Sequence, residues 1–157
     1  MNITDLVIRP ATIQDLPAIL ALYCGLDAAY GRDLDEDGVD DLELWQQVIA
    51  DTRQQVLVAE QGGEIAGSIT LIIVPNLGHR GKPWAAVENV VVLERRRGQG
   101  VGTALMSEAG RIARRRGCCK IVLTTNLARR QAHGFYRSLG WQQTHAGFSL
   151  HLTRSTP

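Results

Sequence analysis

Three glycines, Gly98, Gly100 and Gly102, follow three arginines, Arg95, Arg96 and Arg97, just past the apolar run from Val90 to Leu93. Beyond them Val101, Leu105, Ala109 and Ile112 recur at helical spacing, with Ala104 and Ala113 widening the same face. A strand that runs into a glycine-rich helix start makes an anion site. The N–H groups of a first helical turn have no partner inside the helix and lie at the positive end of its dipole. Glycine admits a diphosphate to the backbone with no Cβ in the way, and the arginines add mobile positive charge. Two common diphosphate motifs do not fit. A nucleoside-triphosphate loop needs a lysine after its last glycine, and only Thr103 follows here. A dinucleotide fingerprint needs G-x-G-x-x-G and an acidic residue about 20 positions further on. This chain has G-x-G-x-G, and that distance falls near Cys118 to Lys120.

Arg97-x-x-Gly100-x-Gly102 after an apolar strand resembles the acetyl-CoA signature of the GNAT superfamily of N-acetyltransferases. Nearly the whole chain shares the resemblance. Ile8-Arg9-Pro10-Ala11-Thr12 with Asp15-Leu16 looks like that family's opening strand and first helix. Ala132-His133-Gly134-Phe135-Tyr136 with Leu139-Gly140-Trp141 looks like its closing helix and turn. The resemblance implies acetyl-CoA as acetyl donor, with coenzyme A as product.

The elements that must position these residues follow from size and periodicity. At 157 residues the chain reads as one domain, 1–157, and its 45% hydrophobic content suits a globular core. No run of about 18 apolar residues suggests a membrane span, and no signal-peptide core precedes Arg9. A net charge of +1 gives no overall pull toward nucleic acid. Cys24, Cys118 and Cys119 form neither a disulfide framework nor a zinc spacing, and they read best as small apolar core residues. These features point to the cytoplasm. Homodimerisation is a further expectation from the family.

Leu6 to Arg9 reads as a strand, and Thr12-x-x-Asp15 as a variant capping box opening a helix through about Tyr23. Ile13, Leu16, Ile19, Leu20 and Tyr23 form its inner face. Gly25 to Asp41 reads as a loop. A second helix from about Leu42 turns Leu42, Trp45, Val48 and Ile49 inward. Gln55 to Gln61 and Glu64 to Val74 are strands joined at Gly62-Gly63, a hairpin signal. A turn-rich loop, Pro75 to Pro83, leads to a strand over Ala85 to Leu93. The glycine-rich helix ends near Arg116, with Gly117 as its C-cap candidate. Cys119 to Thr124 is a strand, Arg130 to Leu139 a helix, and 141–152 one or two closing strands. This order predicts an α/β fold with a mixed, mostly antiparallel central sheet and helices on both faces. The resemblance adds a GNAT fold whose central strands splay to admit the pantetheine arm.

Acetyl transfer from a thioester to an amine sets its own requirements. An amine of pKa about 10.4 is neutral in only about one molecule in a thousand at pH 7 and must lose a proton. The carbonyl must be polarised by a fixed dipole, and the departing thiolate needs a hydrogen bond or a proton. Glu88, at the mouth of the apolar strand, is the candidate general base, directly or through water. It reads equally as a strand-end glutamate solvated or paired with Arg80 or Lys82. Tyr136 is the candidate general acid, because a phenol is protonated at neutral pH and can donate to sulfur. Two adjacent helix positions, Phe135 and Tyr136, would not face one core. The family resemblance implies that backbone groups of Val90, Val91 and Val92 hold the pantetheine and thioester. It assigns the diphosphate to the N–H groups of Arg97, Gly98, Gln99, Gly100, Val101, Gly102 and Thr103. Where many relatives have an asparagine this chain has Arg129, with Asn126 or Arg130 as substitutes.

The acceptor amine is bordered in such folds by two loops. The first is acidic here (Asp33, Asp35, Glu36, Asp37, Asp40, Asp41), and the second carries His79, Arg80 and Lys82. An acidic rim suits a cationic amine, and basic residues suit an acceptor that also bears a carboxylate, phosphate or phosphonate. Solvated charge is the plainer reading of both. Leu123-Thr-Thr-Asn126, Ala132-His133, Phe135-Tyr136, Gln143-Thr-His145 and Phe148 resemble the C-terminal part of aminoalkylphosphonate N-acetyltransferases, which would put His133 on the acceptor side. The four histidines form no metal-ligand motif, and no metal is expected. The expectation is an N-acetyltransferase for a small primary amine, with no covalent acyl-enzyme. The alternatives are acetylation of a protein lysine or N-terminus, or a non-catalytic acetyl-CoA-binding module.

Overall fold

The computed structural model describes residues 5–28 and 41–150, in two compact units that meet in sequence at Leu123 and Thr124. The acidic residues Asp33, Asp35, Glu36, Asp37 and Asp40 lie outside the described residues. The first unit holds a five-stranded sheet in chain order: β1 (Leu6–Pro10), β2 (Gln54–Gln61), β3 (Glu64–Val74), β4 (Trp84–Val92) and β5 (Ile121–Leu123). The first four strands are antiparallel and β5 joins β4 in parallel, as the mixed sheet requires. Gly62 and Gly63 turn the β2–β3 hairpin with φ of 61° and 77°, values that glycine adopts freely.

Alternation along the strands separates two cores. Val56 and Val58 cluster with Ile19 of α1 (Leu16–Ala28) and Trp45 of α2 (Asp41–Ala50). On the opposite face α3 (Val101–Arg115) packs against the sheet, with Val101, Leu105, Met106, Ala109, Ile112 and Ala113 buried. Gly67 of β3 lies under this helix. A Cβ there would meet Val91 O at 2.7 Å and the side chains of Val101 and Leu105 at 3.3 Å, so only glycine allows the approach.

The Thr12–Asp15 pair forms as read, but Asp15 does more than cap. Its carboxylate accepts Thr12 N–H at 2.7 Å, the Thr12 hydroxyl at 2.9 Å and a two-point contact from Arg9 at 2.7 and 2.9 Å. Arg9 also donates to Glu60 of β2 at 2.8 Å, tying strand to helix start. Helix α3 ends as Gly117 implied. Gly117 N–H donates to Arg114 O and Cys118 N–H to Ala113 O, both at 3.0 Å, the paired bonds of a left-handed glycine cap.

Several expectations are corrected. α1 runs past Tyr23 to Ala28, straight through Gly25. Ile13, Leu42 and Ile49 are exposed, while Leu22 and Met106 are buried instead. Cys24 and Cys119 are exposed and Cys118 half-buried, so the cysteines are not core residues. The strand expected over Cys119 to Thr124 shortens to Ile121–Leu123. No strand forms in the described part of the tail, 141–150. Its apolar residues Phe148 and Leu150 are exposed, so no buried face specifies a register there.

Candidate active site

The link from β4 to α3 is an open glycine turn. Gly98 and Gly100 take φ of 72° and 85°, and no protein atom lies within 4 Å of where either Cβ would stand. Gly100 is the N-cap, and the first helical bond is Ala104 N–H to Gly100 O at 2.9 Å. The N–H groups of Val101, Gly102 and Thr103 therefore have no acceptor within the helix. Arg97 is exposed and anchored through Nε to Val92 O at 3.3 Å, and Gln99 holds Arg95 O at 2.7 Å. Arg95 and Arg96 have a carboxylate partner, where the sequence suggested free positive charge. Both engage Glu64 from the β2–β3 hairpin, Arg96 at 3.5 Å. Their charge braces the loop rather than standing free. No spacing signal linked Glu64 to this loop, because the contact crosses the sheet.

Strand β4 supplies the second feature. β5 ends at Leu123, opposite Val87, so Glu88–Val92 extends beyond the strand that pairs with its outer edge. On the other edge Thr70 pairs with Glu88 and Ser68 with Val91, leaving Asn89 and Val90 opposite Ile69 alone. This two-against-one bulge coincides with Asn89 at φ 52°. It disrupts the ladder beside Val90 and returns Val91 to the sheet face that Glu88 occupies. Val91 is buried, whereas Val90 and Val92 are half-buried. The sequence held one unused signal of this bulge, an asparagine inside a valine-rich strand, since asparagine disfavours strands and tolerates left-handed backbone.

Glu88 is exposed and, among the described residues, forms no ion pair, so the pairing with Arg80 or Lys82 does not occur. Partial withdrawal of water from its carboxyl raises its pKa above the ordinary glutamate value. The loop before β4 holds His79 and Arg80 at φ of 50° and 60°, followed by Gly81 at 72°, with Arg80 and Lys82 in its basic run.

The second unit carries α4 (Arg130–Ser138), with Arg129 at its N-cap position. Asn126 is committed locally: its Oδ1 accepts Ala128 N–H at 2.8 Å, and its carbonyl lies 3.0 Å from His133 Nε2. His133 is thus occupied within its own unit. Tyr136 is buried, with its ring 5.3 Å from that of Phe135 and 6.2 Å from that of Trp141. Of these two neighbours Tyr136 is the buried one and Phe135 is half-buried. Among the described residues no three His, Cys, Asp or Glu gather as metal ligands, and no helix is long and apolar enough to cross a membrane.

A fold of this order with a glycine loop between β4 and a core helix defines a class. The model of the Acetyltransferase (GNAT) family matches residues 19–141, and the chain belongs to that family, whose acetyl donor is acetyl-CoA. It is an N-acetyltransferase by this membership and by its relatives. It is 32% identical to the aminoalkylphosphonate N-acetyltransferase of Salmonella typhimurium over 92% of this chain and 90% of that one. It is 31% identical to the glucosamine 6-phosphate N-acetyltransferase of Trypanosoma brucei brucei over 90% of this chain and 92% of the relative. Its fold superposes with a TM-score of 0.83 on a transcriptional regulator from Bacillus halodurans C-125, at 30% identity over 93% of this chain and 99% of that one.

Proposed function

We propose that the chain, as one N-acetyltransferase domain over 1–157, transfers the acetyl group of acetyl-CoA directly to the primary amine of a small molecule that also carries a phosphate or phosphonate. The observation that carries the catalytic part is Glu88, an accessible carboxylate with a raised pKa and, among the described residues, no ion pair. A carboxylate of raised basicity is a better acceptor for an ammonium proton than an ordinary glutamate. The open turn at Gly98 and Gly100 and the free N–H groups of Val101 to Thr103 fit the donor's diphosphate. Backbone groups of Val90, Val91 and Val92, on the edge that β5 leaves open, hold the pantetheine and polarise the thioester carbonyl.

Glu88 takes the amine proton, directly or through water. The amine nitrogen bonds to the carbonyl carbon and gives up its second proton to solvent as the carbon–sulfur bond breaks with its electron pair to sulfur. Tyr136 delivers a proton to that sulfur, and no acyl-enzyme forms. Arg129 and Asn126 are weaker donor-binding candidates, and the local bonds of Asn126 leave it less free for that role.

The acceptor reading is supported by the names of two relatives, whose stated substrates both join an amine to a phospho group. His79, Arg80 and Lys82 are the matching charges. They precede β4, and Glu88 lies four residues after Trp84, about 13 Å along a strand. Part of that span is within reach of the arginine and lysine side chains. A panel assay of thiol release from acetyl-CoA tests the proposal, using aminoalkylphosphonates, hexosamine phosphates, polyamines, amino acids and lysine peptides. Preferential turnover of phospho-bearing amines supports it. Preference for peptides would move the acceptor to proteins, and tight acetyl-CoA binding with no release for any acceptor would indicate a non-catalytic module.

A further inference from the structure

The end of α4 makes more of Trp141 than a core residue. Gly140 takes φ of 82°, and its N–H donates to Arg137 O at 3.0 Å. Trp141 N–H reaches back to Tyr136 O at 3.1 Å, the longer bond of a left-handed glycine cap. Such caps bring the residue after the glycine against the residue whose carbonyl it bonds, and here those two are Trp141 and Tyr136. Their rings lie 6.2 Å apart at 52°, while Phe135 meets the tyrosine ring at 5.3 Å and 57°. Trp141 therefore holds Tyr136 twice, by its backbone and by its ring.

We propose that Trp141 is a positioning residue that orients the Tyr136 phenol for proton delivery, with Gly140 as the turn that aims it. This inference rests on the reading of Tyr136 as the acid. A phenol on a short terminal helix has two rotatable side-chain bonds, and tilted aromatic neighbours restrict both. Gly140 is required because the cap demands a left-handed residue. Trp141 belongs at the next position because a large ring there covers its partner's ring.

The test is a cycle of Tyr136→Phe, Trp141→Leu, Trp141→Phe and the Tyr136→Phe/Trp141→Leu double variant, each checked by thermal melting and coenzyme A titration. Trp141→Leu is expected to lower kcat roughly three- to tenfold, the factor that an aromatic pair contact represents. Coenzyme A affinity should change less than twofold, Trp141→Phe should restore most of the rate, and Trp141→Leu should cost nothing further beside Tyr136→Phe. Equal losses in both backgrounds, or a parallel loss of coenzyme A affinity, would make Trp141 merely structural and overturn the inference. Wild-type turnover by Tyr136→Phe alone would instead strike the reading beneath it, and that arm is read separately.

Discussion

Glu88 is where protonation state and position meet most directly. Its raised pKa puts the loss of the proposed base function above the usual carboxylate range, because the group must be deprotonated to accept a proton. The acid limb of kcat should therefore turn over above pH 4.5, the ordinary value, with activity falling as pH drops through it. Glu88→Gln should remove that limb and lower kcat by roughly 10²-fold or more. A pH–rate profile identical to wild type would assign deprotonation elsewhere. Tyr136→Phe should likewise reduce turnover while leaving coenzyme A affinity nearly intact, as stopped-time assays and calorimetry can separate. At this scale residue types were legible and partners were not. Glu88 and Tyr136 stand out by chemistry and place in the chain. Glu64, Asn89 and Trp141 became meaningful only once contacts and dihedral angles were known.

Two elements meet at glycines with different physical reasons. Gly100 needs its conformation: at φ 85° an alanine costs about 1–2 kcal/mol of backbone strain, though no protein atom obstructs its Cβ. Gly100→Ala should lower Tm modestly and, with the diphosphate seated as proposed, weaken coenzyme A binding by tenfold or more, since the new Cβ would stand in its approach. Gly67 needs space instead. A methyl group 2.7 Å from Val91 O must push β4 away from β3 or α3 off the sheet. Gly67→Ala should therefore destabilise by about 1–3 kcal/mol in denaturant titration, the usual cost of overpacking. Unchanged stability would mean the strands yield more easily than their register suggests. The sequence marked Gly98, Gly100 and Gly102 as functional but gave no sign of Gly67, whose constraint comes from a strand and a helix distant in the chain.

For the molecule as a whole, the link between β1, β2 and the start of α1 is an acid-sensitive joint. Arg9, followed by the Thr12 hydrogen bonds, holds Asp15 down at about 2 from 3.8, against the opposing effect of its own burial. A depressed carboxylate stabilises the fold above its unfolded value and loses that contribution as pH falls through the folded one. Stability should thus decline between about pH 4 and 2 by on the order of 2 kcal/mol from this residue. Asp15→Asn should remove that decline and leave a lower plateau at neutral pH. Urea titrations at several pH values would show it, and an unchanged acid slope would locate the joint elsewhere.

Local chemistry determined much from the sequence alone. Periodicity gave the order of strands and helices, Gly62-Gly63 gave the hairpin, Gly117 gave the end of α3, and the Arg97–Thr103 segment gave the glycine turn that opens α3. Each depends on residues close in the chain, whose preferences act wherever the segment sits. The tertiary structure alone decided which charges remained available. It spent Arg95 and Arg96 on Glu64, left Glu88 without an ion pair among the described residues, bulged β4 at Asn89 and ended β5 at Leu123. It also left the tail through Leu150 without the strands its composition suggested. Those outcomes depend on register and on partners tens of residues away, and no local preference encodes where two strands stop pairing.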